Sequence, residues 1–208
     1  MRALIRLAVL VLTLCIAGIA QAQTYSEAQL REMFKSDGHA SQTALDYILQ
    51  HPDAVPPMFF AGVSSRLWAR GDRSQATFWF YLYQGRTLPW VKVLGPNNID
   101  SFIRRGINTV EGKKINEWIG SDFEAWREVG ARAIAFEKTA PLYPGRPDGI
   151  AEPDWNKLVA EQRADYEASF LTLFGHLTAE SVAAGRRSAG LYVGPLQSPG
   201  KPLPEAWR

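Results

Sequence analysis

Residues 71–86 read GDRSQATFWFYLYQGR, and whether the run FWFYLY within them is strand or helix decides the fold. Aromatic side chains favour strands on intrinsic preference. The flanks argue the other way. Ala76, Trp79, Phe80 and Tyr83 recur at i, i+3, i+4 and i+7, while Phe78, Tyr81 and Leu82 fill much of the remaining circumference. That pattern predicts a helix apolar nearly all round, which belongs inside a protein and touches neighbours on several sides. Gly71 suits the left-handed residue ending one helix. Asp72 suits the cap of the next, with Gln75 placed to complete a capping box.

Upstream, Pro56-Pro57 opens MFFAGVSSRLWAR, whose Phe59, Phe60, Val63, Leu67 and Trp68 predict a partner helix, with Pro57 in its first turn. The two would form an antiparallel pair. Earlier still, Ala44, Leu45, Ile48 and Leu49 predict a helix over residues 41–50, and a shorter one is possible over Leu30, Met33 and Phe34. Downstream, LPWVKVLGPNN reads as a loop or short turn, followed by short helices around residues 99–103 and 115–119 and a longer one over residues 122–138. Gly130 in that helix leaves room for another helix to approach closely. Residues 141–155 form a Pro/Gly-rich connector. A last long helix is expected over residues 153–184, its inner stripe running through Trp155, Val159, Gln162, Tyr166, Phe170, Leu173 and Leu177. The expectation is therefore an all-α, irregular bundle of about six helices with one repeat-like antiparallel pair, in a single domain over residues 23–190. Residues 191–208, with four prolines, read as a draped or disordered tail.

The N-terminus, MRALIRLAVLVLTLCIAGIAQAQ, has Arg2 and Arg6 before an apolar run and a small-x-small site ending at Ala22. This is the form of a secretory signal peptide over residues 1–22, so a periplasmic or secreted location is expected. A retained anchor is the rival reading. Leu14 before Cys15 argues against a lipid-modified cysteine. The 23 Lys and Arg residues lose Arg2 and Arg6 on cleavage, leaving 21 to balance 21 Asp and Glu. A formally neutral chain has no global attraction for nucleic acid or anionic lipid. Cys15 is the only cysteine, so the mature chain has no disulfide and relies on a noncovalent core.

The helical pair resembles one unit of a tetratricopeptide or Sel1-like repeat over residues 57–86, although no second copy follows at a period of about 34 residues. A block A..L...G....A.FWFY..Q.R over residues 61–86, followed by Gly112, Ile115, Asn116, Trp118, Asp122 and Trp126, is also similar to a family of uncharacterised bacterial envelope proteins. The first resemblance implies binding of a protein or peptide, by fold analogy alone.

Chemical motifs are sparse. His39, His51 and His176 are scattered, there is no G-x-S-x-G elbow, and neither a metal nor a cofactor is expected. The carboxylates Glu111, Glu117, Asp122, Glu124 and Glu128, opposite Glu161 or Asp165, are compatible with a two-carboxylate cell-wall hydrolase. They are equally compatible with solvated helix faces. The polar and aromatic set around the central helix, Arg66, Trp79, Tyr81, Tyr83, Gln84 and Arg86 with Asn116, has the composition of a binding hot spot if its members leave part of their surface in a groove. Arg70 and Asp72 are assigned to stabilising the turn. The leading expectation is a periplasmic protein-binding module, with an immunity-type inhibitor of an envelope toxin as one concrete version. A hydrolase and a non-catalytic structural envelope protein are the alternatives.

Overall fold

A computed structural model describes residues 24–36 and 38–207; the signal segment expected over residues 1–22 lies outside the described residues. Those residues form an irregular all-helical bundle with no strand. Its helices are α1 (Glu27–Lys35), α2 (His39–Gln50), α3 (Phe59–Ala69), α4 (Arg73–Arg86), α5 (Leu88–Leu94), α6 (Ile99–Ile107), α7 (Lys113–Ile119), α8 (Phe123–Thr139), α9 (Glu152–His176) and α10 (Ala179–Ser188).

The ten helices exceed the expected six, and two of them, α5 and α10, arise where the chain is cut differently from the expectation. Residues 88–94, read as a loop, form α5, with Pro89 in the first turn, where a missing N–H costs nothing. The short helices expected near residues 99–103 and 115–119 are α6 and α7, joined through a π turn at Asn108–Gly112 that keeps the chain helical. The long final helix breaks after His176. Leu177 is extended, and Thr178 and Ser181 exchange hydrogen bonds in a capping box that starts α10.

The run FWFYLY lies in α4, where eleven of fourteen residues are buried, so this helix is the axis on which the others pack. Against it lie α3, α8 and α9, with α5 and α7 at its edges. α3 and α4 fold back on each other through Gly71, whose φ of +88° only glycine adopts without strain. The turn closes through Asp72 N–H to Leu67 O at 2.9 Å, and Ser64 Oγ donates to Ala76 O at 2.7 Å between the helices. Phe60 meets Trp79 edge-on at 5.0 Å between ring centres, an arrangement that suits the aromatic quadrupole.

The C-terminal tail is part of this core. Trp207, in a single 3-10 turn (Glu205–Trp207), stacks on Phe78 at 5.0 Å with only 15° between planes and is buried. The approach to it is zipped to the start of α4. Ser74 N–H donates to Pro199 O, Lys201 N–H to Asp72 Oδ1, and Gln75 Nε2 to Pro202 O. The capping box expected of Asp72 and Gln75 is therefore not formed. Asp72 makes no cap bond, and instead accepts Arg70 Nε at 2.7 Å on one oxygen and the tail on the other. Burial opposes ionisation of this carboxylate, but the Lys201 N–H and Arg70 outweigh it and hold the group below its ordinary range.

Candidate functional site

The seven residues expected to form a binding surface separate into two groups. Trp79 and Tyr83 are fully buried among core aromatics, so neither offers surface to a partner. An all-round apolar helix has to be enclosed, and these two face its most enclosed sides. Arg66 is engaged internally. Its Nε donates to Ser41 Oγ at 2.8 Å, its Nη2 donates to Phe34 O, and its guanidinium lies over the Phe34 ring, tying α1 and α2 to α3.

Arg86 is buried as well. Its Nε pairs with Glu137 of α8, while Nη1 and Nη2 donate to Pro141 O at 2.8 Å and Ala140 O at 3.0 Å. It therefore satisfies, from α4, the two carbonyls just beyond the end of α8. The other oxygen of Glu137 accepts Arg163 Nε of α9 at 2.7 Å, so one carboxylate joins three helices. This network was only partly legible. Glu137 falls in the inner stripe of its helix beside Phe136, and an acid in an apolar stripe signals a buried partner.

Tyr81, Gln84 and Asn116 do come together. They line a cavity of about 200 Å³ between α4, α7, α8 and α9. Trp126 of α8 and Tyr166, Phe170, Leu173 and Phe174 of α9 supply most of the remaining wall. Trp126 and Phe174 meet edge-on at 5.0 Å, and Phe170 packs on Phe174 at 4.5 Å. The seat for α9 is made by two glycines. A Cβ at Gly85 of α4 would stand 2.9 Å from the Tyr166 ring, and one at Gly130 of α8 would overlap the Phe170 ring. Gly130 thus admits the close helix approach expected of it.

The polar groups of the cavity are few and neutral. Tyr81 donates to Asn116 Oδ1 at 3.3 Å, and Tyr166 donates to Tyr81 O at 3.0 Å. Burial pushes both phenols well above the ordinary tyrosine range, so both stay protonated at neutral pH. Gln84 and Ser169 add an amide and a hydroxyl. The cavity has aromatic faces and uncharged hydrogen-bonding groups, and no lining residue forms a nucleophile–base pair. Such a site holds an apolar group and orients it.

The acidic residues considered for hydrolysis lie elsewhere. Glu111 pairs with Lys114, Glu117 with Lys113, Glu124 with Arg127 and Glu128 with Arg132, while Asp122 caps α8 by accepting Ala125 N–H. Glu161 pairs with Lys157, and Asp165 accepts Gln162 Nε2. None of them lines the aromatic cavity. Among the described residues no cluster of His, Cys, Asp or Glu could hold a metal ion, and no helix is long and apolar enough to cross a membrane. The chain matches no protein-family model, no curated protein and no solved structure.

Proposed function

We propose that this protein is a binding module of the cell envelope, which holds a protein or peptide partner by seating one of its apolar side chains in the aromatic cavity. The observation that carries the reading is the cavity itself: uncharged, walled by rings, and bordered by Leu173, which remains exposed on α9. Large apolar groups beside a concave aromatic site are the composition of an interface core. Asn116, exposed beside the cavity, adds a polar contact that orients the guest.

The resemblance of the α3–α4 pair to a tetratricopeptide or Sel1-like unit, and of the wider block to bacterial envelope proteins, supports the same class by analogy. The signal-like N-terminus supports a periplasmic setting. An inhibitor of an envelope-acting toxin is the narrower version of this reading, since such a protein needs a rigid surface and no chemistry of its own.

The test is co-purification from a native envelope extract, comparing the wild-type chain with Leu173→Asp and Asn116→Ala. Both changes alter groups near the cavity mouth and should leave the helix content unchanged. A specific partner retained by wild type and lost from Leu173→Asp supports the reading. Recovery of no specific partner at several salt concentrations, or equal recovery by all three proteins, overturns it.

A further inference from the structure

An amphipathic helix normally turns its apolar face inward, and α6 does the opposite. Ser101 is buried and donates to Gly95 O at 2.6 Å, and Arg104 reaches under the helix to donate to Thr87 Oγ1 at 2.8 Å and Gln84 O at 3.0 Å. The helix is docked through its polar side. Its apolar side faces solvent: Ile99 and Phe102 are each 65% exposed, Ile103 42%, and Val110, in the π turn that follows, 68%. Val93 of α5 borders the same region and is also exposed. Beyond α5 and the π turn, α6 has little contact with the rest of the bundle, so it projects as a ridge.

We propose that α6 is an interfacial helix by which the protein rests on an anionic lipid surface. This inference is independent of the aromatic cavity and does not require the function proposed for it. Two observations mark the ridge as a contact surface, and a third, its charge, selects a bilayer. The buried Arg104 bonds fix the orientation, so the apolar ridge is a settled feature of the monomer. The exposed apolar area, on the order of 500 Å², is at the upper end of what a monomer leaves uncovered, which marks the ridge as a contact surface. The exposed charges beside the ridge are mainly basic. Lys92 is exposed and Arg105 extends across the Phe102 ring at 5.7 Å, while Lys113 and Lys114 are matched by Glu117 and Glu111 and Asp100 is partly covered. A short helix with apolar groups on one side and cations at its margin lies in the headgroup region without spanning the membrane. The local charge supplies the electrostatic attraction.

The experiment is co-sedimentation of the full chain with vesicles of phosphatidylcholine alone or mixed with phosphatidylglycerol. It compares wild type with the surface variants Ile99→Ser/Phe102→Ser and Lys92→Glu/Arg105→Glu, after circular dichroism has confirmed equal helix content. All three carry the same N-terminal segment, so any difference arises at α6. Wild type should bind the anionic vesicles at least tenfold more tightly than either variant, and salt should weaken its binding. Equal binding by wild type and Ile99→Ser/Phe102→Ser overturns the proposal, as does failure of wild type to bind anionic vesicles. A concentration-dependent dimer in light scattering that this same variant abolishes, without vesicle binding, assigns the ridge to a second copy and likewise overturns it.

Discussion

Replacing Glu137 with Met should cost about 3 kcal/mol of stability. The Arg86 and Glu137 side chains are 2% and 8% exposed, so both charges have left water and depend on each other. Removing one member of a buried pair typically costs 3–5 kcal/mol, because the remaining charge stays desolvated. The lower end applies to Glu137→Met, since Arg86 keeps two carbonyl acceptors and Arg163, 27% exposed, can turn to water. Arg86→Met leaves Glu137 with Arg163 but strips Ala140 O and Pro141 O of their partner, at about 1–3 kcal/mol for each carbonyl that stays buried. Its cost should be about 3–4 kcal/mol. In the double variant neither charge is left facing a missing partner, so its cost should fall short of the sum by about 2 kcal/mol or more. Urea unfolding followed by circular dichroism measures this directly. With a slope of about 2 kcal/mol per M, each single variant should lower the midpoint by about 1.5 M. Single variants costing less than about 1 kcal/mol, or strict additivity, would refute the account of Arg86 as an internal tie between α4 and α8.

Gly130→Ala should push α9 away from α8, because its Cβ and the Phe170 ring cannot share the space. We expect a loss of about 1–3 kcal/mol by thermal unfolding, as for other overpacked sites, and displaced Phe170 and Phe174 ring signals by NMR; unchanged stability and unchanged ring signals would contradict the seat. The buried tyrosines set an alkaline limit. Burial pushes Tyr83 up to about 12, with Arg104 working the other way. Tyr143 also rises to about 12, through burial and its bond to Glu27, and Tyr81 and Tyr166 are pushed higher still. Because the unfolded chain gives up these protons near pH 10, their contribution to stability is intact below that pH and is lost as pH climbs from 10 towards and past 12. Tyrosinate absorbance should reach the value for all seven tyrosines only when the helical signal collapses; full absorbance at pH 11 with helicity intact would show that these phenols are not enclosed.

The helical nature of FWFYLY was legible because the constraint is local: a three-and-four spacing, a glycine able to take positive φ, and polar flanks are all encoded within sixteen residues. Gly130 was legible for a similar reason, since a missing side chain in a helix interior marks a place where something else comes close. The direction in which each face points depends on which distant elements arrive. Asp72 and Gln75 have the spacing of a capping box, but the tail, more than a hundred residues later, takes those groups for its own backbone. Trp207 is the penultimate residue of a proline-rich segment, and its apolar ring is covered because Phe78 stacks on it and Trp79 meets it edge-on.

The aromatic helix, the turn that precedes it and the all-α class follow from the sequence by itself, because periodicity and backbone preference act between neighbours. Tertiary structure alone decided that Trp79, Tyr83 and Arg86 are enclosed while Tyr81, Gln84 and Asn116 border a cavity. It also turned α6 with its apolar side outward. An amphipathic pattern specifies that two faces differ, and the bonds of Ser101 to Gly95 and of Arg104 to Gln84 and Thr87 set which of them meets the protein.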